Sequence, residues 1–516
     1  MTTTTGALTT RWWTVLGFVG SVVAVLAGSF DRPGPGRWLV GAVAVGDPGN
    51  VVRDAGFGVA SIVCLSGISL LGVSWVRVVS RWRSADVLTS GGTTGAALGT
   101  VALWALPFAV GPVLFSADVF SYAAQGQIVG AGLDPYRNAA SDLPVNSPVI
   151  DLIAPIWTSS PSPYGPLWSR ISGWAAQFGE GDPFLTVTVL RVVALTSVVV
   201  MAWAVTRLAQ RSPTPAAVVL ATVGNPLVLI HLVSGAHNEA LMLALLLTAV
   251  VVARFNSTGN STAPTKRWPR AMGALVVIGA AVAVKAPAVV GAVAMGWSLF
   301  ARPDSTTGWQ QRLRGLAVAG LISGASLAII TWVTGLGWGW VTTLTTPGPS
   351  RAITAPVRGL GFALAQLTGP LGHLTTNSEV TAITGPVGAI LTLSAAGAVL
   401  WWRRESPIVE LTGWLSLAVV LFGPSLYPWY IITPVVFVGL SLGAASPTSA
   451  GDDWRWRMIA LTSIILSVAQ LPSGASVIYL LGAVGPWASA LLWVALVAYG
   501  ATTRPDGHES SNHATI

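Results

Sequence analysis

The chain of 516 residues is 53% hydrophobic and only 9% charged. A soluble globular protein carries about 25% charged residues, so this composition excludes that class and indicates a membrane protein. The formal net charge of +8 comes from small groups of Arg and Lys between apolar runs rather than from one basic patch, so we expect no nucleic-acid partner. Cys64 is the single cysteine, so no disulfide can form within the chain.

Apolar runs bounded by Arg, Pro, Asp and Gly follow one another along the whole chain. Their lengths, roughly 15 to 25 residues, suit α-helices that cross a hydrocarbon core about 30 Å thick, whereas a membrane barrel shows shorter alternating segments. The sequence therefore predicts an all-α polytopic membrane protein, with about fourteen transmembrane helices in one domain over residues 1–502. The first run lacks a cleavage motif and is predicted to be a retained helix. The runs are 12–29, 57–76, 95–115, 185–206, 215–232, 238–254, 271–284, 287–301, 315–334, 380–402, 407–423, 429–445, 457–471 and 475–499.

The basic residues predict the orientation in the plasma membrane. With the N-terminus inside, about two thirds of the 27 Lys and Arg residues fall in inside segments, as the positive-inside rule requires. Both termini are then cytoplasmic, including a polar tail at 503–516. Two long segments become extracytoplasmic, 116–184 after the third helix and 335–379. Most polar residues lie outside, so any chemistry is expected there.

The stretch 116–137, SADVFSYAAQGQIVGAGLDPYR, begins where the third apolar run ends. It places a carboxylate, Asp118, at the membrane boundary and further polar and aromatic side chains close behind it. Few membrane-protein loops are so rich in functional groups, although a polar interfacial cap with Asp118 as a helix N-cap explains the stretch equally well. The candidate site residues in this stretch are Asp118, Tyr122, Gln125, Asp134 and Tyr136.

The predicted outer loop 116–184 is too long for a simple turn and indicates a functional element. Because loop folding decides which acid faces a site, the sequence leaves Asp134 and Asp151 open as alternatives to Asp118. The loop ends in an aromatic, proline-rich run, PIWTSSPSPYGPLWSR. A ring such as that of Tyr164 could stack on a sugar, but interfacial anchoring is the commoner role of aromatic residues in such loops.

Two further polar features lie between apolar runs. His237, Asn238 and Glu239 stand at the predicted outer start of a helix, where the helix dipole favours an acid; a helix cap is an equal alternative. Lys285 splits a long apolar stretch into two short halves, with Pro287 two residues on. Ionisable groups at such depth are costly and usually functional; the alternative is a lysine that snorkels at a hairpin tip.

Arg351 and Arg358 add two cations in the second outer segment. Its Gly-rich run 359–371 is predicted to be a re-entrant or surface helix, because a crossing there would break the charge asymmetry. Acids at the membrane surface with Lys285 and arginines nearby suit a reaction on a lipid-linked phosphate. The cations would hold the phosphate of the leaving carrier, and a carboxylate would take the proton of an attacking hydroxyl. The sequence therefore indicates glycosyl transfer from a polyprenyl-phosphate sugar.

Several motifs of other classes are missing from the sequence. It has no Gly-rich phosphate loop, no ATPase motif and no Asp-X-Asp pair for a metal-bound nucleotide sugar, so we expect no cofactor and assign no metal ligand. A lipid-linked sugar flippase or transporter, with Lys285 and Glu239 as ligands, is the alternative. A transporter predicts internal repeats and charges inside several helices, which the sequence does not show. A non-catalytic scaffold leaves the stretch around Asp118 unexplained.

Four segments carry a family resemblance. They are SADVFSYAAQGQIVGAGLDPY at 116–136, SPYGPLWSRI at 162–171, GNPLVLIHLVSGAHNEALM at 224–242 and VKAP at 284–287. In this order they resemble the membrane-embedded glycosyltransferases of the GT-C fold. They are most similar to the actinobacterial polyprenol-phosphomannose-dependent α-1,6-mannosyltransferases, which build the mannan backbone of lipomannan and lipoarabinomannan.

The resemblance implies a GT-C-type helix bundle whose large extracytoplasmic loop follows helix 3. The donor would be polyprenyl (decaprenyl) phosphomannose and the acceptor a lipid-anchored α-1,6-mannan, with inversion from a β-linked phosphomannose to an α-linkage. In that fold the acid of the first large outer loop is the catalytic base, and this position falls on Asp118. Lys285, Arg351 and Arg358 would bind the donor phosphate by charge and location. The remaining substrate-binding candidates are Tyr122, Gln125, Asp134, Tyr136, Tyr164, His237, Asn238 and Glu239.

Overall fold

The structure, a computed structural model, describes residues 2–30, 58–84, 93–254, 264–300, 308–344, 353–368, 377–442 and 450–502. Within these ranges the chain is helical, and β-structure is limited to an isolated antiparallel bridge between Gln470 and Ser476. The all-α prediction is confirmed.

Eighteen α-helices lie in the described ranges. The first nine are α1 (Thr2–Phe30), α2 (Val59–Arg83), α3 (Thr94–Val110), α4 (Asp118–Gly130), α5 (Pro166–Phe178), α6 (Pro183–Ala209), α7 (Pro215–Thr222), α8 (Glu239–Arg254) and α9 (Pro264–Val284). The others are α10 (Val289–Leu299), α11 (Trp309–Thr334), α12 (Trp340–Thr343), α13 (Pro356–Thr368), α14 (Asn377–Trp402), α15 (Ile408–Phe422), α16 (Ile432–Gly439), α17 (Ala450–Ser467) and α18 (Gly485–Thr502). A π-helix spans Val228–Ser234, and short 3-10 helices span Ala140–Asp142, Ile150–Leu152, Pro155–Trp157, Ala286–Ala288, Pro428–Ile431 and Val477–Val484.

Six helices of the described chain are long and apolar enough to cross a membrane, and a seventh span arises if the bent pair Val228–Ser234 and Glu239–Ala253 is one crossing. Every predicted apolar run overlaps a helix, and the chain is a membrane-bound protein. About fourteen crossings stays a prediction. The six spans are Thr10–Phe30, Val59–Arg83, Pro183–Ala209, Trp309–Thr334, Ser378–Trp402 and Val477–Gly500. The shorter apolar helices are Thr94–Val110, Trp268–Val284, Ala286–Leu299, Ile408–Phe422 and Pro428–Gly439.

A buried arginine fixes the point where the chain leaves α3 for the predicted outer loop. Arg191 of α6 donates hydrogen bonds to the carbonyl oxygens of Phe108, Ala109 and Gly111, at 3.0, 3.1 and 2.8 Å. The last carbonyl groups of a helix have no partner within it, so the guanidinium satisfies the end of α3. The next helix, α4, therefore starts from a rigid support.

The predicted outer loop 116–184 folds into α4, three short 3-10 helices and α5. Helices α4 and α5 touch at Gly126, where a Cβ atom would lie 2.2 Å from the carbonyl oxygen of Ser172. Only glycine permits this backbone approach. The predicted re-entrant or surface helix at 359–371 corresponds in part to α13, and residues 369–371 lie outside the described chain. The membrane side of both segments stays a prediction.

Candidate active site

A cavity of about 850 Å³ lies among the segment after α3, the start of α8, the end of α9 and helices α14 and α15. The charged groups among its described lining residues are the carboxylates of Asp118 and Glu239 and the ammonium of Lys285. The rings of Tyr164 and Tyr430 line the same part of the wall. The cavity therefore has a polar end built from residues far apart in the sequence.

The other part of the cavity is apolar. Leu393 of α14 and Val419 and Val420 of α15 line it. Leu393 is 73% exposed and belongs to the candidate membrane span Ser378–Trp402. The apolar part of the cavity wall therefore reaches the exposed surface of a helix that is long and apolar enough to cross a membrane. The shape and polarity suit an amphiphile with a polar head and an apolar tail.

Asp118 is the first residue of α4. The N-cap position is Ala117, and the backbone N–H of Asp118 donates to Ser116 Oγ at 3.1 Å, so the N-cap alternative for Asp118 is wrong. Its carboxylate instead turns to the cavity, where Oδ1 accepts a hydrogen bond from Trp157 Nε1 at 3.2 Å. Burial raises the pKa of this carboxyl to about 6, while the charge of Lys285 and the indole donor lower it. An acid with this pKa is suited to proton transfer near neutral pH.

The segment His237–Glu239 lies at a sharp break in the chain, between the π-helix Val228–Ser234 and α8, whose axes differ by 110°. Ala236 has a φ of +52°, a left-handed conformation that a non-glycine residue adopts at an energetic cost. The break brings His237 Nδ1 to 3.6 Å from Asp118 Oδ2 and to 4.0 Å from Glu239 Oε2. His237 itself is buried and does not line the cavity.

Lys285 follows α9, where Pro287 prevents the helix from continuing because it has no amide hydrogen. Its ammonium forms an ion pair with Glu239 Oε1 and donates to Asn238 Oδ1 at 3.4 Å. It also lies over two tyrosine rings, 4.7 Å from the Tyr430 centroid and 5.4 Å from that of Tyr164. With a side chain only 11% exposed, Lys285 is a buried, paired cation, so the prediction of a snorkelling lysine is wrong.

Tyr122 and Tyr164 form an aromatic cluster beside these charges. Their ring centroids lie 5.1 Å apart at 89°, and the Tyr122 hydroxyl lies 3.5 Å from His237 Nδ1. Burial raises the pKa of both phenols well above the ordinary value. Both hydroxyls are therefore neutral hydrogen-bonding groups, and Tyr164, unlike Tyr122, lines the cavity.

Three predicted site residues lie outside the lining of the cavity and stabilise the loop around it. Gln125 Oε1 accepts from Ser162 Oγ at 3.1 Å, and the Tyr136 hydroxyl donates to Ser169 Oγ at 3.4 Å. Asp134 Oδ1 accepts from the backbone N–H of Tyr136 at 2.9 Å, in a local turn. Their contacts are those of residues that stabilise the fold of the loop.

The remaining candidates are the two arginines and Asp151, the third acid that the sequence offers as a base. Arg358 lies in α13, buried near Tyr427 and Tyr479, and does not line the cavity. Arg351 lies outside the described residues. Asp151, the other alternative acid, is exposed in the 3-10 helix Ile150–Leu152 and is absent from the lining.

Sequence reasoning missed two aromatic contributors. Trp157 donates to Asp118, and Trp429 stacks on the His237 ring with centroids 4.0 Å apart at 22°. Tyr427 stacks in turn on Trp429, at 4.7 Å and 1°. The run Tyr-Pro-Trp-Tyr at 427–430, in a turn at the end of an apolar run, was the available signal. For Trp157 the sequence held no signal beyond the aromatic content of its loop.

The family described as alpha-(1→6)-mannopyranosyltransferase, N-terminal domain, matches residues 14–301, more than half of this chain. Asp118, His237, Glu239 and Lys285 all lie in the matched region. The chain belongs to the alpha-(1→6)-mannopyranosyltransferase family. Helices α14 and α15, which form the apolar side of the cavity, lie beyond the match.

Curated relatives agree with this membership. The chain is 30% identical to alpha-(1→6)-mannopyranosyltransferase A of Mycobacterium tuberculosis, over 74% of this chain and 71% of the relative. It is 31% identical to a probable alpha-(1→6)-mannopyranosyltransferase of Mycolicibacterium smegmatis, over 72% of each chain. It is 26% identical to alpha-(1→6)-mannopyranosyltransferase A of Corynebacterium glutamicum, over 88% of this chain and 93% of the relative. No solved structure matches the chain.

Proposed function

We propose that this chain transfers mannose from a polyprenyl phosphomannose to an α-1,6-linked mannan acceptor of the lipomannan and lipoarabinomannan type, with inversion at the anomeric carbon. The observation that carries the proposal is that Asp118 and Lys285 line one cavity whose far side is apolar and includes Leu393, an exposed residue of a candidate membrane span. The relatives, which are named as alpha-(1→6)-mannopyranosyltransferases, supply the sugar and the linkage.

The lipid nature of the donor is supported by the two ends of the cavity. The head of a polyprenyl phosphomannose carries a sugar and one phosphate charge, and its tail is a hydrocarbon. The polar end offers Lys285 to the phosphate and the ring of Tyr164 to the sugar, while the tail leaves past Leu393 between α14 and α15. A nucleotide-linked sugar has no hydrocarbon tail that could occupy an apolar wall of this kind.

The chemistry follows from the placement of the base and the cation. A hydroxyl of the acceptor gives its proton to Asp118 as its oxygen bonds to the anomeric carbon of mannose. The bond between that carbon and the phosphate oxygen breaks on the opposite face, so a β-linked donor gives an α-linked product. The phosphate leaves on the polyprenyl chain with one additional negative charge, which Lys285 stabilises.

Glu239 contributes to this scheme because its carboxylate forms an ion pair with Lys285 in the free enzyme. The donor phosphate competes with the Glu239 carboxylate for the ammonium, which Asn238 also contacts. Among the described residues that line the cavity, Lys285 carries the positive charge. The scheme therefore assigns the donor phosphate to Lys285, while Arg358 does not line the cavity and Arg351 lies outside the described residues.

The proposal places the reaction on the extracytoplasmic side of the plasma membrane, with both termini in the cytoplasm. The distribution of Arg and Lys over the apolar runs supports this orientation. A lipid-linked donor that is already in the membrane reaches such a site without crossing a soluble compartment.

Membrane vesicles containing the chain test the proposal. They receive radiolabelled polyprenyl phosphomannose and a short α-1,6-mannoside acceptor, with nucleotide-linked mannose as the competing donor in a parallel reaction. We expect the lipid donor, and not the nucleotide donor, to give a lengthened acceptor that carries the label. An α-1,6-specific mannosidase should release the labelled mannose from this product. Transfer from the nucleotide donor in vesicles free of lipid-linked mannose, or a product of another linkage, contradicts the proposal.

A further inference from the structure

His237 contacts the candidate base from inside the protein. The side chain of His237 is fully buried, while that of Asp118 is 16% exposed. The nearest oxygen atoms all approach the same ring nitrogen, Nδ1: Tyr122 hydroxyl at 3.5 Å, Asp118 Oδ2 at 3.6 Å and Glu239 Oε2 at 4.0 Å. The other nitrogen, Nε2, is buried without a hydrogen-bond partner in the described chain.

The oxygen atoms around His237 indicate which of its two ring nitrogens carries the hydrogen. Two of the three oxygen atoms near Nδ1 belong to carboxylates, which accept hydrogen bonds when ionised and cannot donate them. A bare Nδ1 lone pair would face both carboxylates and be repelled. The two carboxylates therefore favour the tautomer of His237 that has its hydrogen on Nδ1, in which the N–H points toward Asp118 and Tyr122.

The ring is held firmly in this orientation. One face of His237 stacks on Trp429, with centroids 4.0 Å apart, and the edge of His231 lies at 5.9 Å. The residue before it, Ala236, has the strained φ of +52°. Strained backbone persists only where the surrounding structure determines it, and it concentrates at functional sites. The break in the chain thus serves to present an imidazole N–H beneath Asp118.

The Asp118 carboxylate has a second neutral donor on its other oxygen. Trp157 Nε1 lies 3.2 Å from Oδ1 and belongs to a 3-10 helix of the loop. At 3.6 Å the His237 contact is longer than a hydrogen bond, but contacts of catalytic groups are often long in a free enzyme and shorten when substrate binds. One N–H group therefore faces each carboxylate oxygen.

We propose that His237 and Trp157 are positioning residues that hold the Asp118 carboxylate ionised and oriented toward the acceptor hydroxyl, and that His237 does not touch the substrate. This inference rests on the proposed function, since it concerns the base of that reaction. The inference goes beyond the proposed function by assigning a positioning role to two residues. The sequence predicted His237 to bind substrate, and it did not place Trp157 among the site residues.

Other groups around Asp118 act on its charge as well. Lys285 stabilises the ionised form, and Glu239 opposes it. The phenols of Tyr122, Tyr164 and Tyr430 face the same group from α4, the loop and the turn before α16. These groups are unchanged in the variants below, so a shift in the titration of Asp118 reports the N–H donors.

The test compares three variants in the mannose-transfer assay as a function of pH. His237→Phe keeps a ring against Trp429 and removes the N–H. His237→Asn removes the ring and keeps an amide N–H close to the position of Nδ1. Trp157→Phe keeps an aromatic side chain and removes the indole donor. Loss of a donor to a carboxylate raises its pKa, so the acidic limb should move upward by about one pH unit in both Phe variants. For His237→Phe the shift should appear in the profile of kcat, which reports the substrate complex, and for Trp157→Phe in the profiles of both kcat and kcat/KM.

We expect His237→Asn to retain the wild-type limb and most of the wild-type kcat, with KM for the donor unchanged in both His237 variants. The inference is overturned if the two His237 variants lose activity equally with no shift of the limb, which is the behaviour of a purely structural residue. It is also overturned if KM rises in His237→Phe with kcat unchanged, which indicates a substrate contact. If His237→Phe does not fold, Trp157→Phe alone decides, by a shifted or an unshifted limb. Failure of the wild-type chain to transfer mannose refutes the proposed function instead, before any variant is compared.

Discussion

Replacing Lys285 by methionine leaves the Glu239 carboxylate buried without its cation. The two side chains are 11% and 2% exposed, so water compensates for the lost ammonium only in part. Breaking a buried ion pair from one side costs about 3–5 kcal/mol, because the remaining charge has lost both its partner and its hydration. The ammonium also lies over the rings of Tyr430 and Tyr164, which adds about 0.5–2 kcal/mol to the loss.

The double variant Lys285→Met with Glu239→Gln separates charge from packing. Removal of a whole buried pair is often nearly neutral, so its stability should return to within about 1–2 kcal/mol of the wild type. Arg457→Met is the matched control. Its pair with Asp453 is 60% and 48% exposed, and an exposed pair contributes only about 0–1 kcal/mol.

Thermal unfolding of the purified chains in detergent, followed by tryptophan fluorescence, checks these values. The single Lys285 variant should have the lowest midpoint, with the double variant and the control both near the wild type. Both Lys285 variants should lack transferase activity, since each lacks the proposed phosphate ligand. A Lys285→Met midpoint as high as that of Arg457→Met, or a double variant no more stable than the single one, refutes the buried pair.

Two further predictions concern the base and the cavity wall. Burial raises the pKa of Asp118 to about 6, and a base must be deprotonated to act. We therefore expect kcat/KM to be level above that pH and to fall about tenfold per pH unit below it. Initial rates between about pH 5 and pH 8 measure this profile, and a flat profile would contradict the prediction. Gly165→Val should lower stability by about 1–3 kcal/mol and reduce transfer, because an added Cβ would lie 2.2 Å from the carbonyl oxygen of Ala283 beside Lys285. Gly99→Val, where an added Cβ meets nothing within 4 Å, is the control in the same unfolding measurement, and equal midpoints for both variants would show that the wall is not tightly packed.

The helices could be predicted from the sequence because each is an apolar run with its own ends. The exact number of crossings could not be predicted, because helices such as α7 and α16 are too short to cross a membrane alone. In addition, the run at 238–254 begins at a sharp break in the chain. Hydropathy records composition along the chain, not the angle between consecutive helices. The 110° break before Glu239 is set by tertiary packing, and hydropathy contains no information about that packing.

The polar end of the cavity was accessible to sequence reasoning for a definite physical reason. Asp118, Glu239 and Lys285 are ionisable groups at the ends of apolar runs, where burial is costly without a function or a partner. Asp134, Gln125 and Tyr136 lie in the same stretch as Asp118, but periodicity does not distinguish a residue that faces the cavity from one that stabilises the loop. The role of Trp157 beside Asp118 could not be predicted, because the hydrogen bond joins residues that are 39 positions apart.

The most direct test of the central claim compares Asp118→Asn with Asp134→Asn in the mannose-transfer assay. Both substitutions remove one negative charge from the same loop and keep a side-chain oxygen. Asp134 is 39% exposed in its side chain and lies outside the cavity lining, and asparagine can still accept the hydrogen bond from Tyr136. We predict that Asp118→Asn loses at least about a hundredfold in kcat, as expected for a missing general base, with an unfolding midpoint near that of the wild type. Asp134→Asn should retain nearly full activity. Full activity in Asp118→Asn, or equal losses in the two variants, would contradict the account.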